Sequence, residues 1–361
     1  MLKPNRPEAI LLVFVTLILL FAATSFVASA YRSELRNRAE MHFHQGQVLA
    51  RGGKPDAAVE EYRAALTYSH NERRYELALS LALVALGRTG EAEAHFLELR
   101  EGDPNNALVN LMLARIAVRE GRVADAVAFY NRAIYGLWPS DPQKNRIQAR
   151  FELVELLGNT GQARKALGEL LSLAAEAPDD PAVQNRVAEM LLNYGSPQHA
   201  AEVFRGVLES QPRDPEAALG LARALFQEGK YRDAESQYRR ALRLNPGDPR
   251  AQQRVAEIAD MLALDPTVVT LRSSQRYARS LELIRRTTES LKACLGARAV
   301  PPDVQTLLDR SAEFLKAHRR HREGETPAAL SLASKIWKAR GDLCGPPPED
   351  ALALAMMKVT R

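Results

Sequence analysis

The chain has 361 residues, 46% hydrophobic, 26% charged and only 6% aromatic, which gives ample material for a buried core and excludes disorder over the whole length. With 20 Gly and 20 Pro, both ordinary counts, and long stretches rich in Ala, Leu, Glu and Arg, the composition points to an all-α fold and away from an all-β one. The net charge of +5 is unevenly placed, because residues 267–361 hold 17 Lys and Arg against 10 Asp and Glu, while residues 1–266 hold 32 against 34.

Residues 1–8 are a short flank carrying Lys3 and Arg6, and residues 9–30 then run for 22 positions without a charge. As a helix such a run is about 33 Å long, enough to cross a hydrocarbon layer of about 30 Å. Thirteen of its residues are Ile, Leu, Val or Phe, so insertion is favourable, and the segment reads as a transmembrane helix. The alternative is a cleaved signal peptide, since Ala28-Ser29-Ala30 has the small-x-small form of a cleavage site. The length of the run and the basic residues Arg32, Arg36 and Arg38 in the juxtamembrane stretch 31–38 favour a retained anchor. Positive charge is nearly balanced across the two flanks, and a body on the non-cytoplasmic, periplasmic-type side is expected, as is usual for an N-terminal anchor.

Beyond the anchor the sequence repeats. Gly53, Gly87, Gly121, Gly161, Gly195 and Gly229 are separated by 34, 34, 40, 34 and 34 residues. Each is followed after five residues by an alanine (Ala58, Ala92, Ala126, Ala166, Ala200, Ala234), and four further on by a bulky residue (Tyr62, Phe96, Tyr130, Leu170, Phe204, Tyr238). Pro104, Pro178, Pro212 and Pro246 follow eight positions later in four of the units. A glycine lets one helix stop and another start, an alanine lets two helices approach, and a ring four residues on lies on the same face and fills the gap. Each unit is therefore predicted to be a helical hairpin, stacked on its neighbours into a solenoid. With Leu221, Ala222, Gly229, Tyr231, Ala234, Tyr238, Ala241 and Pro246 in register over 215–248, the sequence resembles the tetratricopeptide repeat (TPR) family. Six units are drawn, at 39–72, 73–106, 107–140, 147–180, 181–214 and 215–248, with a capping helix over 249–264 closing an array that spans 39–264. Departures from the family pattern are His70 and Trp138 in place of proline, Leu170 in place of an aromatic, and a six-residue insertion after the third unit, read as a tolerated surface loop, a binding loop or a kink in the superhelix.

The resemblance implies recognition of proteins or peptides along a concave groove lined by the first helix of each hairpin. Carrying the family's spacing onto this chain selects Arg115 and Arg119, then Glu155 and Asn159, then Asn185, Glu189 and Asn193, and finally Arg223 and Gln227. Such side chains hydrogen-bond an extended backbone, and arginines take carboxylates bidentately. The other reading is a merely solvated helix face. Leu77, Leu81, Val84, Leu108 and Leu111 would add an apolar stretch to the groove or belong to the core between repeats. The lysine, asparagine and arginine clamp of the family's chaperone-tail binders is not assembled here.

Residues 265–361 read as a basic helical region, a small bundle with an Ala, Leu and Met rich tail after Pro346-Pro347-Pro348. Two cysteines do not make a disulfide scaffold and lack the paired spacing of a zinc site. Cys294 and Cys344 each fall near a predicted helix end, so they either pair, closing a loop worth about 4 kcal/mol in the chain-entropy model, or remain thiols. Lys316, Arg319, Arg320 and Arg322 form the densest basic cluster, a solvated helix end or a site for anionic lipid or nucleic acid.

No phosphate loop, nucleophile elbow, His-Glu-x-x-His or dinucleotide fingerprint occurs, and no metal, cofactor or small-molecule substrate is expected. The expected function is non-enzymatic: a membrane-anchored scaffold that assembles protein partners through the groove at an envelope membrane, with no nucleic acid partner. The alternatives are an enzyme subunit or processing factor with an unfamiliar site in the C-terminal bundle, or lipid or nucleic-acid binding through the basic cluster at 316–322.

Overall fold

A residue in the left-handed region ends the first helix of every hairpin, and it is always the glycine of the repeat. Gly53, Gly87, Gly121, Gly161, Gly195 and Gly229 all have φ between 71° and 78°. The following residue then donates its N–H back into the helix, as in Lys54 to Leu49 O (3.0 Å) and Arg88 to Leu83 O (2.9 Å), which satisfies carbonyls the helix end would leave orphaned. A computed structural model describes residues 7–176, 179–317, 325–347 and 350–360; among these it is helical apart from turns and one isolated backbone bridge.

Two compact units divide the chain, residues 1–169 and 170–361. The first contains α1 (Pro7–Arg51), α2 (Pro55–Tyr68), α3 (Arg73–Ala85), α4 (Thr89–Gly102), α5 (Ala107–Arg119), α6 (Val123–Tyr135), α7 (Pro142–Asn159) and the start of α8 (Ala163–Glu176). Successive helices from α1 to α7 pack on one another in antiparallel hairpins. α1 is a single 45-residue helix in which the apolar run, the stretch 31–38 and the first repeat helix are continuous. Its stretch Val13–Arg51 is long and apolar enough to cross a membrane, with mean hydropathy 2.3 in its most apolar window, which the described residues leave uncovered. The helix joins the array at Ala39 and Phe43, both buried, where the Phe43 ring lies 4.7 Å from Tyr75 and Arg74 of α3 pairs with Glu40.

The insertion adds length to a helix as well as a loop. α7 starts at Pro142, five residues before the expected unit boundary, and the connection before it is stitched by Leu137 N–H to Asn105 O (2.8 Å) and Ala107 N–H to Leu137 O (3.1 Å). Tyr135 and Leu137 are left exposed beside it.

The second unit holds the rest of α8, then α9 (Pro181–Asn193), α10 (Pro197–Ser210), α11 (Pro215–Gln227), α12 (Tyr231–Leu244), α13 (Pro249–Leu264), α14 (Ser273–Leu295), α15 (Pro302–Ala317), α16 (Glu325–Cys344) and α17 (Ala351–Val359). Aspartates begin α9, α11, α13 and α17 as N-caps, each accepting from an N–H of the first turn. Pro178, one of the repeat's punctuating prolines, lies outside the described residues. The C-terminal helices pack on α13 within this second unit, and the tail makes much of that contact. α17 buries Leu352, Leu354 and Met356 and packs on α13, α14 and α16, and Lys358 Nζ reaches the fully buried Asp265 carboxylate at 2.7 Å. Thr267 donates its N–H and its hydroxyl to the same carboxylate, and these bonds, with Lys358, outweigh burial and hold Asp265 below the usual carboxylate range.

All six repeat alanines are fully buried, and the six bulky residues beside them are buried too. Packing is close enough that some facing positions admit no side chain. A Cβ on Gly220 of α11 would sit 2.2 Å from Phe204 Cζ, whereas one on Gly206 of α10 would meet nothing within 4 Å. Replacing Gly206 by alanine is expected to stabilise by up to about 1 kcal/mol through helix propensity. Gly220→Ala, in an equally helical position, is expected to destabilise by about 1–3 kcal/mol through overpacking. Thermal unfolding followed by circular dichroism distinguishes the two; melting points raised by both substitutions would refute the close-approach account.

Candidate interaction face

The first helices of the hairpins present the side chains that the repeat spacing selects, but the structure commits several of them to holding the repeats together. In the first unit Arg115 of α5 makes a bidentate pair with Glu152 of α7, Nε to Oε2 at 3.0 Å and Nη2 to Oε1 at 2.7 Å. Gln148 donates to the same carboxylate at 3.1 Å and the Tyr130 hydroxyl at 3.2 Å. Equivalent repeat positions would pair Arg115 with Glu155, forty residues on. The partner is instead Glu152, one helical turn earlier on the same face. Arg119, Glu155 and Asn159 are exposed. Leu77, Leu81, Val84 and Leu108 are half-buried, and Leu111 is core.

In the second unit Arg223 of α11 donates through Nη1 to both oxygens of Glu189 of α9, at 2.7 and 2.6 Å, a pair that links equivalent positions of consecutive repeats. Asn185 is corrected from an exposed groove residue to a buried one, 3% accessible. Its Nδ2 donates to Asp214 Oδ2 (3.0 Å), while Oδ1 of that aspartate caps α11 through the Glu216 and Ala217 N–H groups. Asn193 and Gln227 are exposed. Spacing gives the face of a helix on which a residue lies, but not how deeply the next hairpin covers it, and at Asn185 that cover is nearly complete.

The structure adds residues that the repeat pattern had no means of selecting. A cleft of about 850 Å³ opens between the last hairpin and α13, and Arg250 and Arg254, read from the sequence only as parts of a cap, line it together with Arg223 and Gln227. In the first unit Glu76 of α3 meets His95 and Glu98 of α4, with ligand atoms of all three within 4.8 Å of one another. Burial, followed by the Glu98 charge, keeps the Glu76 carboxyl above its usual range, and His95 Nδ1 stands 3.5 Å away. The i, i+3 spacing of His95 and Glu98 was the available signal; their approach to Glu76 depends on hairpin closure.

At the C-terminal end the Cys294 and Cys344 sulfurs are bonded, with Cα atoms 6.3 Å apart, tying the end of α14 to the end of α16. Lys316 is exposed on α15, and Arg319, Arg320 and Arg322 lie outside the described residues.

Burial opposes ionisation of Glu152, but hydrogen bonds from Arg115, Gln148 and Tyr130 outweigh it, so its folded carboxyl lies below the ordinary 4.5. A depressed folded value contributes stability above the unfolded pKa and loses it as the pH falls through the folded one. Glu152→Gln is therefore expected to lower stability by about 1 kcal/mol at neutral pH, discounted for the partial exposure of Arg115. The difference from the parent chain should close as the pH drops below about 4.5. Melting curves between pH 3 and 7, as rough bounds, test this; a pH-independent gap would show that Glu152 acts through packing alone.

Family models described as tetratricopeptide repeat match residues 22–72, 77–142, 151–215 and 191–258. No curated protein matches the chain. Solved structures with a similar fold include YrrB, described as a TPR protein with an unusual peptide-binding site, at 16% identity over 54% of this chain and 97% of that one, TM-score 0.41. Another is PilF of Pseudomonas aeruginosa, at 17% identity over 63% of this chain and 99% of that one, TM-score 0.41. A third is the C-terminal part of a TPR repeat-containing protein from Cytophaga hutchinsonii, at 14% identity over 80% and 99%, TM-score 0.46. With its matched stretches covering more than half of its length, and glycine, alanine and a bulky residue in register through six hairpins, the chain belongs to the tetratricopeptide repeat family.

Proposed function

We propose that the protein is a membrane-anchored scaffold that assembles protein partners on the first-helix faces of its hairpins, with its body on the non-cytoplasmic side. TPR proteins are in general non-catalytic interaction modules, and the exposed polar residues of this chain suit that role. Arg119, Glu155 and Asn159 in the first unit, and Asn193 and Gln227 in the second, stand beside ion pairs that fix the helices carrying them. A face of fixed side chains binds with less ordering entropy than a mobile one.

The observation that carries the anchoring is the continuity of α1. Between the end of the apolar run and Ala39, the first buried residue of the array, the helix rises only about 14 Å. An anchor followed by a flexible linker would let the repeats wander; an uninterrupted helix holds the first hairpin at the membrane surface. The bonded cysteines support a body in an oxidising compartment, where such a bond persists.

Two measurements test the reading. Photo-crosslinking residues placed in cells at Arg119, Asn159, Asn193 and Gln227 are expected to capture discrete partners that the second-helix positions Glu202 and Arg239 do not. Equal capture from both faces would remove the first-helix face as the working surface. Thiol labelling of the intact protein in cells is expected to leave Cys294 and Cys344 unmodified until a reductant is added. Immediate labelling of both would place the body in a reducing compartment and overturn the orientation.

A further inference from the structure

Three side chains able to ligate a metal meet where α3 and α4 of the second hairpin pack together. Glu76 comes from α3, and His95 and Glu98, three residues apart and so on one face, come from α4. One ligand atom from each lies within 4.8 Å of the other two. Their neighbours in sequence, Tyr75, Phe96 and Leu99, are buried, so the backbone carrying the three is held by the hairpin core. Glu76 is mostly covered, His95 is half-buried and Glu98 is exposed. Other carboxylates of this unit are answered by arginines, Glu152 by Arg115 and Glu93 by Arg122. Glu76 and Glu98 are different. No arginine or lysine of the described residues pairs with either, and the group facing Glu76 is the His95 ring, with Nδ1 3.5 Å from Oε1.

From this geometry we infer that Glu76, His95 and Glu98 bind one zinc ion across the second hairpin, through one imidazole nitrogen and two carboxylate oxygens, with a fourth position left to water. The site goes beyond the interaction role proposed above and does not depend on it. A separation of 3.5 Å between Nδ1 and Oε1 is longer than the about 2.7–3.2 Å of a good hydrogen bond. It is close to the about 3.4 Å between two ligands of a tetrahedral ion with bonds of about 2.1 Å. Glu98, exposed and paired with no arginine or lysine, is free to turn its carboxylate through the remaining distance. Two carboxylates balance the charge of a dication, and the imidazole selects zinc over magnesium and calcium, which take oxygen ligands. An ion held by both helices binds the folded hairpin and not the unfolded chain, and so stabilises the fold. The expectation that the chain takes no metal rested on motifs within a single segment, whereas these ligands are divided between two helices that only hairpin closure brings together.

The test uses the full chain in detergent micelles, carrying no polyhistidine tag and stripped of metal with a chelator that is then removed. Zinc chloride is titrated in and followed by isothermal calorimetry, for the parent and for His95→Gln, Glu98→Gln and His70→Gln, the last an exposed histidine outside the triad. One zinc per chain is expected to bind the parent and to raise its melting temperature. Loss of a ligand should weaken that binding by about tenfold or more in His95→Gln and in Glu98→Gln, while His70→Gln should bind as the parent does. Excess magnesium or calcium should not displace the zinc. Glu98 is exposed and glutamine keeps its shape, so circular dichroism should show Glu98→Gln folded even if the half-buried His95 tolerates change less well. No binding at one equivalent, an affinity indifferent to either triad substitution, or displacement by calcium would overturn the inference. Partner capture at the first-helix faces is measured separately, so any of these results would leave the scaffold reading standing.

Discussion

Helix-to-helix approach is the constraint on which the rest depends. In each hairpin a buried alanine lets the second helix come close, and a ring or leucine four residues later fills the space its small side chain leaves. Where rings press hardest, the facing residue has lost its side chain altogether, at Gly46 beneath Tyr62 and at Gly220 beneath Phe204. The left-handed glycine between the helices makes that approach possible by reversing the chain within one turn. Within each compact unit a hairpin covers the apolar face of its neighbour, so no single hairpin needs a large core of its own.

Charge works differently from packing in this protein. Ion pairs such as Arg115 with Glu152 and Arg223 with Glu189 cross from one repeat to the next on the same face that would meet a partner. Being partly exposed, they contribute modestly to stability, but they fix long side chains on the first-helix faces. The first-helix faces thus carry both ion-paired arginines and exposed polar side chains, and Arg250 beside Arg223 and Arg254 brings exposed and paired arginines together in one cleft.

The C-terminal helices extend this logic within the second unit. α13 ends the repeats as a cap, yet a cap with a bare apolar side would itself need covering. α14 and the tail helix α17 supply the cover, and the buried pair of Asp265 with Lys358 fastens residues 93 positions apart in the sequence. The bond between Cys294 and Cys344 restrains α14 and α16 at their ends. The tail is short and rich in Ala, Leu and Met, so taken alone it announced little beyond a helix; its partner surface was formed by chain far upstream.

By itself the sequence determined what depends on local spacing. The period of the glycines, the alanine five residues later and the ring four beyond specified the hairpins, because each of these roles is played out within one turn and two helices. The uncharged run at 9–30 specified an apolar helix for the same reason: length and composition are local quantities. Depth of burial was decided only by tertiary structure. Asn185 and Arg223 share a predicted face, yet one is buried against the N-cap of α11 and the other is half-exposed on Glu189, a difference set by how the next hairpin lies over them. Arg115 pairs with Glu152, one helical turn from the equivalent repeat position Glu155, which no repeat register foretells. Arg250 and Arg254 became cleft residues only when α13 came to rest against the last hairpin, because a cleft is formed between surfaces that the sequence keeps apart.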